Sequence, residues 1–319
     1  MPTRRLWLSV GVLAGQLVDL VFADPAHRHP VAGFGWCAEN LESVTYRDSR
    51  TAGAVHTAVL VGGLVGVGAI AQRRARRGPS LAILTAAATW VTLGGTTLTR
   101  TGSAMADLLA AGKIADARAL LPSLCGREPA FLDGPGLTRA ALESVAENTS
   151  DAHIAPLLWV AFTGLPGILA YRGINTLDAM IGNRSARYTR FGGAAAKLDD
   201  AVNYLPARAT GSLVVACAPL VDGSPLRVIR AWRRDAAHHP SPNAGVVEAA
   251  FAGALGVRLG GPTKYGHGLE IRPALGDGRA PEVEDLRRAV RLSKLVQLAA
   301  AVSTIAISAL RHDGWRAPA

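Results

Sequence analysis

Gly53 to Ala71 is a predominantly apolar stretch long enough to cross a bilayer, because about 20 helical residues span a ~30 Å hydrocarbon core. It is not alone: Leu6 to Phe22, Ser80 to Leu98, Ile154 to Tyr171 and Leu292 to Leu310 are comparable blocks, and Ala209 to Val221 is a shorter one. Lipid offers the backbone no hydrogen-bond partner, so such blocks must satisfy their own amides as helices. The composition agrees, with 49% hydrophobic residues and only 18% charged. The predicted fold is therefore all-α: a polytopic integral membrane helix bundle with re-entrant half-helices and interfacial amphipathic helices, in one domain over residues 1–319.

Arg4-Arg5 before Leu6 resembles the charged start of a signal peptide, and Val21-Phe22-Ala23 would pass as its cleavage site. The apolar blocks downstream favour a retained first span. Arg73, Arg74, Arg76 and Arg77 form a short basic loop, which orients the chain with that loop in the cytoplasm. Gly62, Gly63, Gly66 and Gly68 suit close helix packing. Between Thr99 and Leu121 the apolar spacing, broken at Gly112, predicts an amphipathic hairpin. Gly164-Leu165-Pro166-Gly167 interrupts the fourth block as a kink or a re-entrant tip. Arg227, Arg230, Arg233 and Arg234, with Val228, Ile229 and Trp232, predict an interfacial amphipathic helix. Gly260-Gly261-Pro262-Thr263-Lys264-Tyr265-Gly266 is expected as a glycine-rich turn carrying a lone lysine, and it lacks the spacing of a P-loop.

Polar residues gather in motif loops near 24–35, 125–151, 172–208 and 236–268. If Arg139 to Asp151 is helical, Glu143, Glu147 and Asp151 fall at i, i+4 and i+8 on one face beside Asn148. Stacked like charges call for a cation, a basic partner or solvent. Asn175 and Asp178 share a face, as do Asp199 and Asn203. His239 to Gly245 forms a rigid turn that could hold Asn243 toward a ligand. These are hard oxygen donors suited to Mg²⁺, and arginines suit phosphate. The same inventory would serve magnesium-nucleotide chemistry or an ion pathway, so enzyme and transporter both stay open.

Other chemistries drop out. Cys37, Cys125 and Cys217 have no ligand spacing, and there is no HExxH metalloprotease motif. The net charge is +10, carried by thirty Arg against four Lys, yet aromatics make up only 5% and no basic stripe is interleaved with them. Nucleic-acid binding is not expected. Asp199-Asp200 lacks the element that a CDP-alcohol phosphotransferase needs.

Six stretches together resemble the adenosylcobinamide-phosphate synthases of cobalamin biosynthesis, the CobD/CbiB family. They are Asp24-Pro25 with His29-Pro30-Val31; Glu143 to Asp151; Tyr171 through Ile174 to Met180 and Gly182; Arg187-Tyr188 with Phe191-Gly192; Leu198 to Asp200 with Asn203 and Pro206 to Arg208; and His239 to Gly245 with Glu248 to Ala250. Two departures are visible. Gly126-Arg127-Glu128-Pro129 stands where the family usually has Gly-Arg-Asp-Thr, and Asp151 is followed by Ala152-His153 in place of Gly.

The resemblance implies an ATP-dependent amide ligase of the cytoplasmic membrane. It would join adenosylcobyric acid, through its free propionate, to aminopropanol or its O-phosphate. A carboxylate is a poor acyl donor, and ATP can convert it to an acyl phosphate that an amine attacks, with Mg²⁺ and arginines offsetting the charge. On this reading Glu143, Glu147, Asp151 and Asp178 are catalytic, and Glu147, Asp151, Asp178, Asp199 and Asp200 hold Mg²⁺ or the amine. Arg127, Arg172, Arg208 and Lys264 bind phosphate. Asn148, Asn175, Asn203 and Asn243 orient oxygens, with His239 and Glu248 beside the ligand. Expected partners are the corrinoid, the amine, membrane lipid and other membrane enzymes of the pathway. A corrinoid or metal transporter and a non-catalytic family member are the competing readings. If every apolar block crossed fully, the Glu143 and Asp178 clusters would lie on opposite faces of the membrane, so a shared site requires at least one re-entrant block.

Overall fold

The computed structural model describes residues 4–24, 29–75, 78–265 and 268–310. Helices α1 (Arg4–Phe22), α2 (Pro30–Thr45), α3 (Arg50–Ala75), α4 (Pro79–Thr92), α5 (Gly95–Ala110) and α6 (Ile114–Leu120) form the first half. Then follow α7 (Gly134–Thr149), α8 (Ala155–Thr163), α9 (Leu165–Ile181), the short α10 (Tyr188–Phe191), α11 (Gly193–Cys217), α12 (Pro225–Asp235) and α13 (Ala244–Leu255). A two-stranded antiparallel sheet, β1 (Leu259–Tyr265) and β2 (Gly268–Leu275), precedes the last helix, α14 (Val283–Leu310). Among the described residues, four helical stretches, 4–22, 50–75, 79–110 and 193–221, are long and apolar enough to cross a membrane.

Local chemistry sets many of these boundaries. Asp133 caps α7 by accepting the Gly136 N–H at 2.8 Å, and His29 caps α2 through Nδ1, which accepts the Val31 N–H at 3.2 Å. Prolines open α2, α4 and α12 at positions where a missing N–H costs nothing. Gly112 turns α5 into α6 at φ 68°, as the hairpin reading expects. The core joins Leu137, Leu142 and Val145 of α7 to Ile168 of α9, Phe251 of α13 and Leu286 and Val290 of α14. Every residue of α13 is buried. A smaller cluster, Ala38, Leu177, Ile181, Phe191 and Ala195, ties α2 to α9, α10 and α11.

At the Gly164 break, α8 and α9 form a helical hairpin. The chain runs from α7 through a π-helical turn at Ser150–Ile154 into α8, reverses at Gly164 with φ 74°, and returns along α9. The reversal brings Asp178 of α9 to the same cavity wall as Asp151.

Several other expectations need adjusting. Ala209 to Val221 is not a separate short segment: α11 is continuous from Gly193 through Pro206, so the Asp199 cluster and the apolar block share one helix. Of the α3 glycines only Gly68 packs closely, against the Pro166 backbone, together with Gly53 against Phe191. Gly62, Gly63 and Gly66 have nothing within 4 Å. Close packing occurs instead on α1, where Gly11 and Gly15 abut Thr85 and Thr89 of α4. The glycine-rich turn at Gly260 is a β-hairpin, because Gly260 and Gly261 adopt φ 84° and 92° and form a bulge that aligns Pro262 with Ile271. The last apolar block lies in α14, whose first half carries Arg287 and Arg288 in ion pairs. Pro25–Arg28 and Arg76–Arg77, on which part of the family motif and of the orientation argument fall, lie outside the described residues.

Candidate functional site

Where α7, the π-helical turn, α9, α11 and the His239–Asn243 turn meet, they enclose a cavity of ≈ 570 Å³. Its wall carries Glu147, Asp151, Asp178, Asp199 and Asp200 together with Asn148, Asn175, Asn203 and Asn243. Residues a hundred positions apart in sequence thus share one space. Three arginines, Arg127, Arg184 and Arg272, face the same cavity, so five carboxylates meet three guanidiniums. The excess of negative charge favours a bound cation, while the arginines offer sites for anionic oxygen.

The π-helical turn explains how one helix contributes both to the cavity and to its support. The extra residue per turn at Ser150–Ile154 rotates the following face and frees backbone groups. Gly94, at the break between α4 and α5, donates its N–H to the Ala152 carbonyl at 2.9 Å. A side chain at Gly95 would collide with the His153 ring. Upstream, Glu143 is fully buried, ion-paired with Arg127, and accepts the Gly260 N–H at 2.7 Å. Glu143 does not line the cavity, so the carboxylate stripe divides: one member anchors Arg127 and the β-hairpin, and Glu147 and Asp151 face the open space.

Amides and a phenol fix the carboxylates on the opposite wall. Asn175 and Asn203 donate to Asp199 at 3.4 Å and 3.0 Å, and the Tyr171 hydroxyl donates to the Asn203 side-chain oxygen at 2.9 Å. Arg208 lies to one side of the cavity. It stacks on Tyr204, donates to the Asn243 side-chain oxygen at 2.7 Å and to the Pro242 carbonyl at 3.0 Å, while Asn243 donates to the Asp200 carbonyl at 2.7 Å. Arg208 thereby clamps the Asn243 turn onto α11.

A second layer lies behind Arg272, a residue of β2. Arg272 donates to Nε2 of His239. A guanidinium can only donate, so Nε2 accepts, while Nδ1 lies 3.0 Å from both the Ser241 backbone nitrogen and its carbonyl oxygen. Burial, then the nearby Arg272 charge, lowers the His239 value to about 4 and keeps the ring neutral. Glu248 is buried 3.8 Å from both His239 and Arg272, and burial followed by the Glu143 charge pushes its carboxyl well up. On the cavity wall itself, burial raises Glu147. Burial first, and then the charges of Asp200 and Glu147, raises Asp178 to about 6.

These donors fit a magnesium-nucleotide ligand. Among the described residues no three of His, Cys, Asp and Glu are grouped as a ready-made metal cage. A cation here would take one or two carboxylates and complete its shell with substrate phosphate and water, the mode in which Mg²⁺ accompanies nucleotides. The volume falls within the ~300–1,000 Å³ of small-molecule sites.

The sequence matches the family described as CobD/Cbib protein over residues 12–293. The chain belongs to the CobD/CbiB family. It is 64% identical over 297 residues to the cobalamin biosynthesis protein CobD of Mycobacterium tuberculosis strain H37Rv, covering 93% of this chain and 95% of that one. Proteins of the same description from Pelobacter propionicus and Geobacter metallireducens are each 40% identical, covering 92% of this chain and 93% and 96% of theirs. No solved structure matches.

Of the residues singled out in this CobD/CbiB sequence, Arg127, Glu147, Asn148, Asp151, Asn175, Asp178, Asp199, Asp200, Asn203, His239 and Asn243 line the cavity. Glu143, Arg208 and Glu248 support it from behind, and Arg172 lines a neighbouring cavity. The side chain of Lys264 lies outside the described residues. Sequence reading misses Arg272 and passes over Arg184 as part of a basic segment. Arg272 sits between apolar and proline neighbours, and only the pairing of β2 with β1 carries it to the wall.

Proposed function

We propose that this CobD/CbiB protein is an enzyme of cobalamin biosynthesis, the membrane-bound ATP-dependent ligase that joins adenosylcobyric acid to aminopropanol or its O-phosphate. The observation that carries the reading is the convergence of carboxylates, amides and arginines from residues 127 to 272 on one cavity beside the α8–α9 helical hairpin. The curated relatives, described as cobalamin biosynthesis proteins, supply the pathway.

Glu147, Asp151, Asp178, Asp199 and Asp200 are the residues that would hold Mg²⁺. Bound MgATP would supply the phosphoryl group that makes a propionate a competent acyl donor. Arg127, Arg184 and Arg272 would carry the phosphate charge, and their fixed positions are what lowers the cost of charge that builds up during transfer. Asn148, Asn175 and Asn203 hold the carboxylates in orientation. The corrin ring would rest at the rim, with only its propionate arm inside.

The test is a reaction of the purified, reconstituted protein with ATP, Mg²⁺, adenosylcobyric acid and each amine form. Amide product with stoichiometric phosphate release supports the ligase. Corrinoid uptake into proteoliposomes without nucleotide turnover would replace it with a transporter.

A further inference from the structure

The loop between α9 and α10 touches the cavity at one end and is held from outside it at the other. Gly182, Asn183 and Arg184 face the cavity, whereas the side chains of Arg187 and Tyr188 turn away to Glu42 of α2. Nη2 and Nε of Arg187 donate to Oε1 of Glu42 at 2.8 Å and 3.2 Å, and the Tyr188 hydroxyl donates to the same oxygen at 3.1 Å. The Arg187 guanidinium also stacks 4.1 Å over the Tyr46 ring, whose hydroxyl donates to the Arg187 carbonyl at 3.1 Å. Glu42 is 7% exposed and lines no part of the cavity. A carboxylate buried to that degree must be paired, and here one short segment supplies its donors.

The joint has little slack. A side chain at Gly192 would collide with the Ile181 carbonyl, and one at Gly53 of α3 with the Phe191 carbonyl. Within the loop, the Ser185 N–H donates to the Asn183 side-chain oxygen at 3.2 Å, and the Ser185 carbonyl accepts the Tyr188 and Thr189 N–H groups at 3.1 Å and 3.0 Å. A shift at Arg187 is therefore passed on to Arg184.

The three arginines of the cavity differ in how they are held. Arg127 is paired with Glu143, and Arg272 donates to His239. Arg184 is exposed and makes no hydrogen bond or ion pair among the described residues. Its charge is uncommitted, so it is available to an anionic ligand, and where that charge sits depends on where the loop sits.

We propose that Glu42 is a positioning residue of this cavity: by holding Arg187 and Tyr188 it sets the loop so that Arg184 meets the anionic end of the bound ligand. That this anion is the phosphate chain of a nucleotide rests on the ligase reading. The latch between α2 and the loop does not.

The experiment is a double-mutant cycle, read by calorimetric titration of the full-length protein in phosphatidylcholine nanodiscs with MgATP, without corrinoid or amine. Arg184→Gln should weaken MgATP about tenfold, the order expected for losing a hydrogen bond to a charged group. Glu42→Gln, which keeps the shape and removes the charge, should weaken it by a similar factor, and Glu42→Asp should retain part of the affinity. Added to Arg184→Gln, the Glu42→Gln change should cost less than about twofold more, because the group it acts through is already gone. A merely structural role would leave the two losses multiplicative. Arg187→Gln, at a position 54% exposed in its side chain, opens the same latch from the other side and gives the same cycle if Glu42→Gln does not fold. Asp48→Asn, which breaks the exposed Arg190–Asp48 pair of the same corner, should leave the affinity at the wild-type value. Multiplicative losses, or wild-type affinity in Glu42→Gln, overturn the proposal. Because binding and not reaction is read, a wild-type protein that shows this coupling but forms no amide refutes the ligase alone. One that forms amide while the losses multiply refutes the latch alone, and absence of MgATP binding refutes both.

Discussion

α3 and α7 follow opposite rules. α3 is 26 residues long and strongly apolar, yet its buried residues are Gly53, His56, Thr57 and Gly68, while Val55, Val59, Val65, Val67 and Ile70 point outward. Its most apolar window is only 17% buried within the chain. α7 is mixed in polarity, yet it buries Thr138, Glu143, Ser144 and Thr149 along with its leucines. In a membrane the apolar surface faces lipid at no cost, so hydrophobicity marks the outside of the bundle and polar side chains mark its functional interior.

The sharpest way to break this comparison is at the buried end of α7. Arg127→Ala would strand the Glu143 carboxylate, which is 1% exposed, with the Gly260 N–H as its remaining partner among the described residues. Removing one member of a buried pair costs about 3–5 kcal/mol. Thermal unfolding of the detergent-solubilised protein should show a large loss, and the hairpin carrying Arg272 should become protease-sensitive. A wild-type melting temperature would mean that the interior of α7 is not held by this pair.

Next comes the cavity face of the same helix. Glu147→Ala and Asp178→Ala should not lower melting, since each removes a buried carboxylate crowded by like charges, while lowering amide formation roughly 10²–10³-fold, the usual cost of deleting a preorganised electrostatic group. Glu143 and Glu147 stand one helical turn apart, so the pair of substitutions separates anchoring from chemistry on one element. Normal ligation by Glu147→Ala membranes would remove the central assignment.

The sequence made this cavity legible where the ligand-facing residues repeat at helical spacing. Glu147 and Asp151, Asn175 and Asp178, Asp199 and Asn203 can each be read as pairs on one face, and the structure brings all six together. Block length alone pointed to the helical stretches 4–22, 50–75 and 79–110 as long enough to cross a membrane, but it missed that Ile154 to Tyr171 is split at Gly164 and that Ala209 to Val221 belongs to a longer helix. Three features were not legible. Glu143 shares the spacing of Glu147, and only its burial against Arg127 distinguishes it. Arg272 reaches the wall through β-pairing that starts at two glycines of low strand propensity, so the nearby sequence reads as a turn. Arg172 lies in the polar run of Asn175 and Asp178, but the rotation of α9 against α3 and α11 turns it toward the other cavity.

A smaller effect should appear with pH. Asp178 is raised to about 6 from the ordinary 3.8, so its protonated form is the one the folded cavity favours. The stability this group contributes is fully present below about 3.8 and is lost as pH rises through about 6. Between pH 5 and 7.5 the metal-free protein should lose melting temperature, and Mg²⁺ should restore part of it at the upper end, where the carboxylate is ionised. Asp178→Asn should flatten both dependences. A melting temperature that rises over this range and ignores Mg²⁺ would show that the carboxylates are not crowded as the cavity places them.

The lipid face of α3 should give the smallest response. Val59 is 56% exposed and touches the surroundings more than the chain, so Val59→Leu should change melting by no more than about 0.5 kcal/mol, the range of ordinary surface substitutions. Val59→Asp keeps the residue in the same place but puts a charge where the hydrocarbon would be, at a cost of roughly 2.5–3.5 kcal/mol for a central position. The two substitutions together read the environment of α3 directly. If Val59→Asp inserts and folds as well as Val59→Leu, this side of the helix faces water or another chain and not acyl chains, and the contrast with α7 would have to be drawn from protein contacts alone.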